Sequence, residues 1–597
     1  MRVPDSLLIP ALISSELWRR FARRVRSGPL YRWRFATTTP SGLTMAPQSL
    51  HPADPQRAIE FYSGHYNFGE ESLSTGGETP FAATAPSDDW FASLHGFRWL
   101  RHHQAIDTDL ARANANALMT DWVEMWGHQL STPAWRSDIV ASRMISWFCH
   151  APLLIKDASP SNYRLMLRSL ARQSRYLHHN VPHARDGYPR LLSTIALAYA
   201  SICLAGREKT VRSAARELDR ELQRQILPDG GHISRNPVVL VHLLADVLPL
   251  RQAYEKHGQA PSKTLNTSID RMMGALRFFR HSNGDLAQFN GTGFSPTALM
   301  ANVLRYDTTS GAPQNSAPQS GFERISAGKS VVLMDTGKPT NRTAAPRTLA
   351  GTLSFELSSG ATRFIANCGV PDISFERYAP FARATAAHST VTIDDTSSSR
   401  FATDSAFNRL LPTQLIRSPG QIAVSRGEKT SEKDAFIDAT HDGYRQKYGL
   451  VHRRRISLRD DGRQLSGCDS FEGTGGKTSD GLVAALRFHL PATNTVSMLT
   501  SGHSILIAAP NKDAWVFTCL EGTVVLEESI QFSGPGQPRK SEQIVVYIHP
   551  ARQQQIRWSL EQRTKSTTAQ TRKKKAKETG PAPDLLDVLT NNETEGS

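Results

Sequence analysis

Two stretches of this chain bring together side chains whose types could do chemistry on a small polar group. The first is Asp229-Gly230-Gly231-His232-Ile233-Ser234-Arg235-Asn236-Pro237, where the glycine pair permits a tight turn. A histidine, a guanidinium and an amide within one short loop can bind a carboxylate and move a proton; the same residues could equally form a helix cap with one ion pair. The second runs over residues 374–401 and places Arg377, Tyr378, Arg383 and His388 just before the alternating run Ser389-Thr390-Val391-Thr392-Ile393. Alternation with β-branched residues predicts a strand with one buried face, so these groups stand at the mouth of a rigid element. Two further polar loops are candidates for the same cleft. One is His183-Ala184-Arg185-Asp186-Gly187-Tyr188-Pro189-Arg190; the other includes Asn283-Gly284-Asp285 and Gln288-Phe289-Asn290-Gly291.

The elements that must position these loops differ between the two halves. Between residues 54 and 306, apolar positions recur three and four apart, as at 110–126, 139–154, 163–178, 191–204, 211–226, 239–254 and 269–279. Helices of similar length with short connections predict hairpins packed in series, as a solenoid or a closed α/α toroid. Trp90, Trp99, His95, His102 and His103 fall in a polar, loop-like segment and are the aromatic and imidazole groups best placed for a cleft. From 330 to 558 the chain changes to short alternating runs split by Gly, Asp, Asn and Ser, which predicts an antiparallel β-sandwich. The expected division is a basic segment 1–50, a helical domain 51–307, a linker 308–329, a β domain 330–560 and a disordered basic tail 561–597.

Composition narrows the partners without choosing one. A chain of 597 residues with 39% apolar residues can build two large cores, and no stretch approaches the ~20 continuous apolar residues of a membrane span. The formal net charge of +15 is partly local: Arg19, Arg20, Arg23, Arg24 and Arg26 crowd the start, and 572–577 (RKKKAK) the end. Such a balance suits nucleic acid, anionic lipid or an acidic polysaccharide. Nucleic-acid binding rests on those terminal runs alone and is not expected. The five scattered cysteines form no CxxC pair and argue against a disulfide framework or a cysteine zinc site. The order of apolar and basic residues at the start is the reverse of a secretory signal; SELWRRFARRVR instead suggests a basic amphipathic helix, either solvated or in weak contact with a membrane surface.

Four motifs in order, DGGHISRNP (229–237), ARATAAHSTVTID (382–394), HDGYRQKYGLVHRR (441–454) and LRFHL (486–490), resemble the heparinase II/III-like proteins. The resemblance implies an α+β multidomain chain, an N-terminal (α/α) toroid followed by an antiparallel β-sandwich. It further implies a polysaccharide lyase that cleaves uronic-acid glycans by β-elimination. A base takes the proton at C5 once the neighbouring carboxylate is neutralised, and an acid protonates the leaving oxygen. On that footing Arg235, Asn236 and Arg383 supply charge, and His232, Tyr378 and His388 proton transfer. A structural divalent metal, zinc or calcium, is implied at His388, His441 and Asp404, and a ligating His388 would not also be a base. The chain departs from the family where an Asn or His is usual, at Gly187-Tyr188-Pro189-Arg190, and where a Tyr is usual, at Pro237-Val238-Val239. His232, Tyr188 or Arg190 then substitutes, or the substrate differs, or activity is lost. The alternatives are a non-catalytic glycan-binding or envelope-assembly protein, and a toroidal glycoside hydrolase using Asp229 and Asp285. An acidic glycan implies the periplasm or envelope; the lack of a clear signal leaves the cytoplasm open.

Overall fold

A computed structural model describes residues 38–563 except 70, 309–310, 340–347, 372–376, 402–414, 429–433, 474–480 and 533–536, with scattered positions between 10 and 35. Its first half is a series of helical hairpins. Helices α1 (Ser137–Cys149), α2 (Tyr188–Cys203) and α3 (Pro237–Lys256) form an inner layer; in α2 every residue from Leu191 to Cys203 is buried. A helix apolar on all sides must be covered on all sides. The covering helices are amphipathic: Pro160–Asn180, Glu208–Gln225 and Lys263–Phe278 alternate with the inner ones along the chain. Two of them start at residues expected of caps, with Ser159 Oγ accepting from the Asn162 amide and Ser262 Oγ from the Leu265 amide.

Trp90, Trp99 and His95 are not in a loop. They sit in helices Asp88–His95 and Leu100–Ile106 or at their ends, and are no more than 2% exposed. The His95 ring accepts from Trp122 Nε1 at 2.9 Å, and the Trp99 indole donates to the Leu94 carbonyl. His102 and His103 are buried too. Aromatic bulk decided their place, since burying such a side chain is worth about 1.5–3 kcal/mol.

Among the described residues of the second half the strands pair only antiparallel, with short helical turns such as Ala379–Arg383 and Arg445–Tyr448 between them. A five-stranded sheet begins at Ser316–Ala317 and Phe322–Ala327, inside the segment expected to be a linker. The Gly, Pro and Ser that suggested a linker lie around these strands, while Phe322 and Ile325 are buried. An eight-stranded sheet includes Ala435–His441, Leu450–Leu458, Gln464–Gly473 and Gln555–Gln562; a four-stranded sheet includes Val391–Ile393, Ala484–His489 and Arg539–Ile548. All three contribute to one core around Phe355, Phe488, Phe517 and Trp558. Ala484–His489 is buried at every position, as a central strand covered on both faces must be.

The halves are joined by buried polar bonds. The Arg235 guanidinium donates to the carbonyls of Ser320 (2.6 Å), Gly321 (2.9 Å) and Lys338 (2.9 Å) and pairs with the Asp335 carboxylate. Asp335 also accepts from Asn290 Nδ2 at 3.0 Å. Nearby, His281 bonds Glu356 at 2.8 Å and Ser358 at 2.9 Å, and Arg324 donates to the carbonyls of Phe278 and Arg280. Removing one member of a buried pair leaves the other uncompensated. Arg235→Ala should therefore cost about 3–5 kcal/mol, seen as a lower urea midpoint; a midpoint like wild type would mean that the pair does not hold the domains together.

Candidate functional site

The Asp229–Pro237 loop is shaped by contacts that leave no room for side chains. A Cβ on Gly230, whose φ is +85°, would lie 1.9 Å from the Arg271 carbonyl, and one on Gly231 would lie 1.9 Å from Ser320 Oγ. Asp229 takes the Ser320 amide at 2.6 Å and its hydroxyl at 2.7 Å, so both oxygens serve the domain junction. That arrangement does not fit an acid or base of a glycoside hydrolase. Asp285, its expected partner, is bonded to Asn283 Nδ2 at 2.7 Å.

Three residues expected to face a substrate are turned inward. His232 is 1% exposed. Its Nδ1 accepts from the Ser234 amide at 3.1 Å, and its Nε2 meets Gln225 Oε1 at 2.8 Å, so the proton sits on Nε2 and the basic nitrogen is capped. Arg235, with φ +57°, spends its guanidinium on the junction; such a backbone costs of order 1–3 kcal/mol and persists only where surroundings hold it. Asn236 is the N-cap of α3, its Oδ1 accepting from the Val238 amide (3.2 Å) and Thr292 Oγ1 (2.8 Å). The helix-cap alternative describes this loop. Arg190 pairs with Glu221 at 2.9 Å.

The 374–401 stretch is only partly assembled into a site. Tyr378 is half-buried, its ring 5.9 Å from Phe532 and beneath the Arg377 guanidinium at 4.9 Å. Arg383 is buried and has a partner, which rules out a free cation facing solvent. His388 donates from Nδ1 to the Ala384 carbonyl at 2.8 Å, and burial lowers its pKa. The charges of Asp335 and Glu356 act on His388 in the opposite sense.

Among the described residues the implied metal site is not assembled. His441 Nδ1 accepts from the Gly443 amide at 3.0 Å, and its Nε2 meets His452 Nδ1 at 3.3 Å; His452 Nε2 then bonds Asp469 at 2.7 Å. Both nitrogens of His441 are occupied. Among the described residues no three His, Cys, Asp or Glu groups could hold an ion, and Asp404 lies outside them. Asp469 also takes Arg454 Nε (2.8 Å) and Trp558 Nε1 (2.9 Å). Burial would push its carboxyl up, but Arg454 and His452 hold it below the usual range. The HDGY and HRR motifs are therefore a buried polar network within the β core.

A further polar cluster lies within the helical half. Tyr188 starts α2 and His242 is on α3, with ring centroids 6.4 Å apart. Beside them, Asp246 grips Arg98 through two bonds of 3.2 and 2.9 Å, and Arg98 contacts His51. Burial would raise the Asp246 pKa; Arg98 and His51 bring it below the ordinary range. Tyr188 belongs to the expected set, whereas His51, Arg98, His242 and Asp246 do not. One signal was available: His242 and Asp246 are the only titratable residues in 237–250, four apart and so on one helix face.

The comparisons agree with this architecture. The Heparinase II/III-like C-terminal model matches residues 309–559. FtsZ-localized protein C of Caulobacter vibrioides is 30% identical over 545 residues, covering 89% of this chain and 92% of that protein. A crystal structure of heparinase III superposes with a TM-score of 0.68 at 15% identity, covering 90% of this chain and 89% of that one. Heparan sulfate lyase HepC from Pedobacter heparinus gives 0.57 at 14%, covering 93% and 88%.

Burial holds the His232 pKa down to about 3. A depressed histidine means that the unfolded chain binds the extra proton first. Its contribution to stability is full above the unfolded value of ~6.5 and is lost as pH falls from there towards the folded value. The urea midpoint should drop between about pH 7.5 and 5, and drop less in His232→Gln; equal drops would show that His232 is not held neutral.

Proposed function

This chain belongs to the heparinase II/III-like family, and on that premise we propose that it is an assembly protein of the cell-division apparatus that no longer performs uronate elimination. The observation that carries the reading is the commitment of His232, Arg235 and Asn236 to internal bonds. Elimination needs a base open to the C5 proton and donors free to meet a carboxylate; the imidazole and the guanidinium are spent on holding the fold, and Asn236 Oδ1 on capping α3. Val238 and Val239, at the start of α3 where the family usually carries a tyrosine, point the same way. Similarity along nearly the whole length to a protein named for localising with FtsZ supports the division role.

Contact with a membrane surface is part of this proposal. Leu17, Trp18, Phe21 and Val25 are 41–68% exposed and recur at helical spacing among the arginines of the N-terminal segment. Among the described residues no helix is long and apolar enough to cross a membrane.

The second reading is a lyase on an acidic polysaccharide, the reaction class that the family name suggests. It is favoured by Tyr188 and His242, a phenol and an imidazole side by side on the inner helices. Against it stands the pairing of Arg98 with Asp246, which spends the cation a uronate carboxylate would need.

A panel of uronate polymers separates the two. The purified protein should give no rise in the ultraviolet absorbance of the C4–C5 double bond, and a fluorescent fusion in the native host should collect at the division site with FtsZ. Steady growth of that absorbance would restore the lyase reading; a diffuse fusion would remove the division role.

A further inference from the structure

A pocket of about 250 Å³ opens on the helical half and shares no residue with the cluster around Asp246. Its apolar walls are Phe91, Leu130, Trp135 and Tyr176, and Asp88 and Arg136 stand at its rim. The Trp135 and Tyr176 rings meet edge to face at 4.8 Å and are 1% and 3% exposed, so these walls are fixed by the core behind them. Arg136 already holds Asp138 through two bonds of 2.7 and 2.8 Å, which leaves Asp88 as an acidic point on that side. The volume falls below the ~300–1,000 Å³ of drug-sized ligand sites and suits one or two aliphatic side chains.

The opposite side of the pocket is basic. Tyr176 belongs to helix Pro160–Asn180, which carries Arg164, Arg168, Arg172 and Arg175 and no acidic residue. Spacings of three and four put these arginines on one face. Among the described residues none of the four pairs with a carboxylate: Arg172 donates to the Gly127 carbonyl at 3.1 Å, and Arg175 to that of Arg34 at 2.7 Å. Burial and then the Arg168 charge lower the Arg172 pKa, as expected of cations crowded without a counter-ion. The Arg172 bond to Gly127 also ties the stripe to the 127–133 loop that supplies Leu130 to the pocket. One segment of the chain already lies against this helix, since Phe35 packs on Tyr176 at 5.3 Å.

The chain beyond Arg563 contains a stretch with the chemistry these surfaces lack. Asp584-Leu585-Leu586-Asp587-Val588-Leu589 combines four aliphatic side chains with two carboxylates, and RKKKAK (572–577) precedes it. Leucines fill an apolar hollow that a flat lipid surface would leave empty. The carboxylates answer the arginine stripe, and the basic run answers Asp88. About 20 residues separate Asp584 from Arg563, a reach of up to ~70 Å, enough to cross a compact body of this size.

We propose that residues 584–589 dock on the helical half of their own chain, their leucines in the pocket between Phe91, Trp135 and Tyr176 and their carboxylates on Arg164, Arg168 and Arg172. The contact is reversible and covers a surface that the folded domains leave open. It is independent of the division role.

Hydrogen exchange of the full-length protein at residues 127–133 tests the contact. Leu585→Asp with Leu586→Asp should speed exchange there by about tenfold. Arg164→Glu with Arg168→Glu, at exposed positions, should speed it by about fivefold, and adding Asp584→Lys with Asp587→Lys should restore the slow rate. Thermal melting confirms that each variant is folded. Leucine variants that exchange like wild type, or a charge reversal that the opposite reversal fails to rescue, would overturn the proposal. So would slowing seen only with vesicles of phosphatidylglycerol, which would make the stripe a lipid surface, or slowing lost on dilution, which would assign the tail to a second copy. The fusion experiment judges the division role separately.

Discussion

The pairing of Arg235 with Asp335 is the constraint on which the rest of the molecule depends. A guanidinium presents five donors in a fixed fork, and here that fork is spread over three carbonyls and a carboxylate of the neighbouring domain. To deliver it, the backbone of Arg235 adopts a left-handed conformation, which Gly230 and Gly231 make reachable by letting the loop pass against Arg271 and Ser320. Asn236 then starts α3, which carries His242 and Asp246. One loop thus sets both the domain junction and the start of the helix that carries Asp246 to Arg98.

The architecture was largely legible in the sequence because the hydrophobic period changes sharply, from helical spacing before residue 306 to alternation after 330. The order of motifs added the toroid and sandwich. What could not be read was the direction in which a polar side chain points. His232, Arg235 and Asn236 have the types a uronate site needs, but a buried loop has its own donors and acceptors to satisfy, and these residues satisfy them. His441 and His452 misled in the same way: cross-strand neighbours on one sheet, they bond to each other and to Asp469.

The early tryptophans and histidines show a second limit. Short helices such as Asp88–His95 and Leu100–Ile106 carry too few turns for a periodic pattern to stand out, so polar residues suggested a loop. His242 shows the converse. A lone imidazole on an apolar helix is easily passed over as a core residue, yet here its ring is only half-buried. The distinction lies in whether the face it occupies points into a layer or into the opening the layer surrounds, which depends on how the helices close.

The junction has one more consequence. Because the loop at Arg235 and the bonds around Glu356 and Arg324 tie the helices to the sheets at several buried points, the chain behaves as a ruler. Whatever docks on the β-sandwich is held at a set distance and angle from whatever meets the helical half.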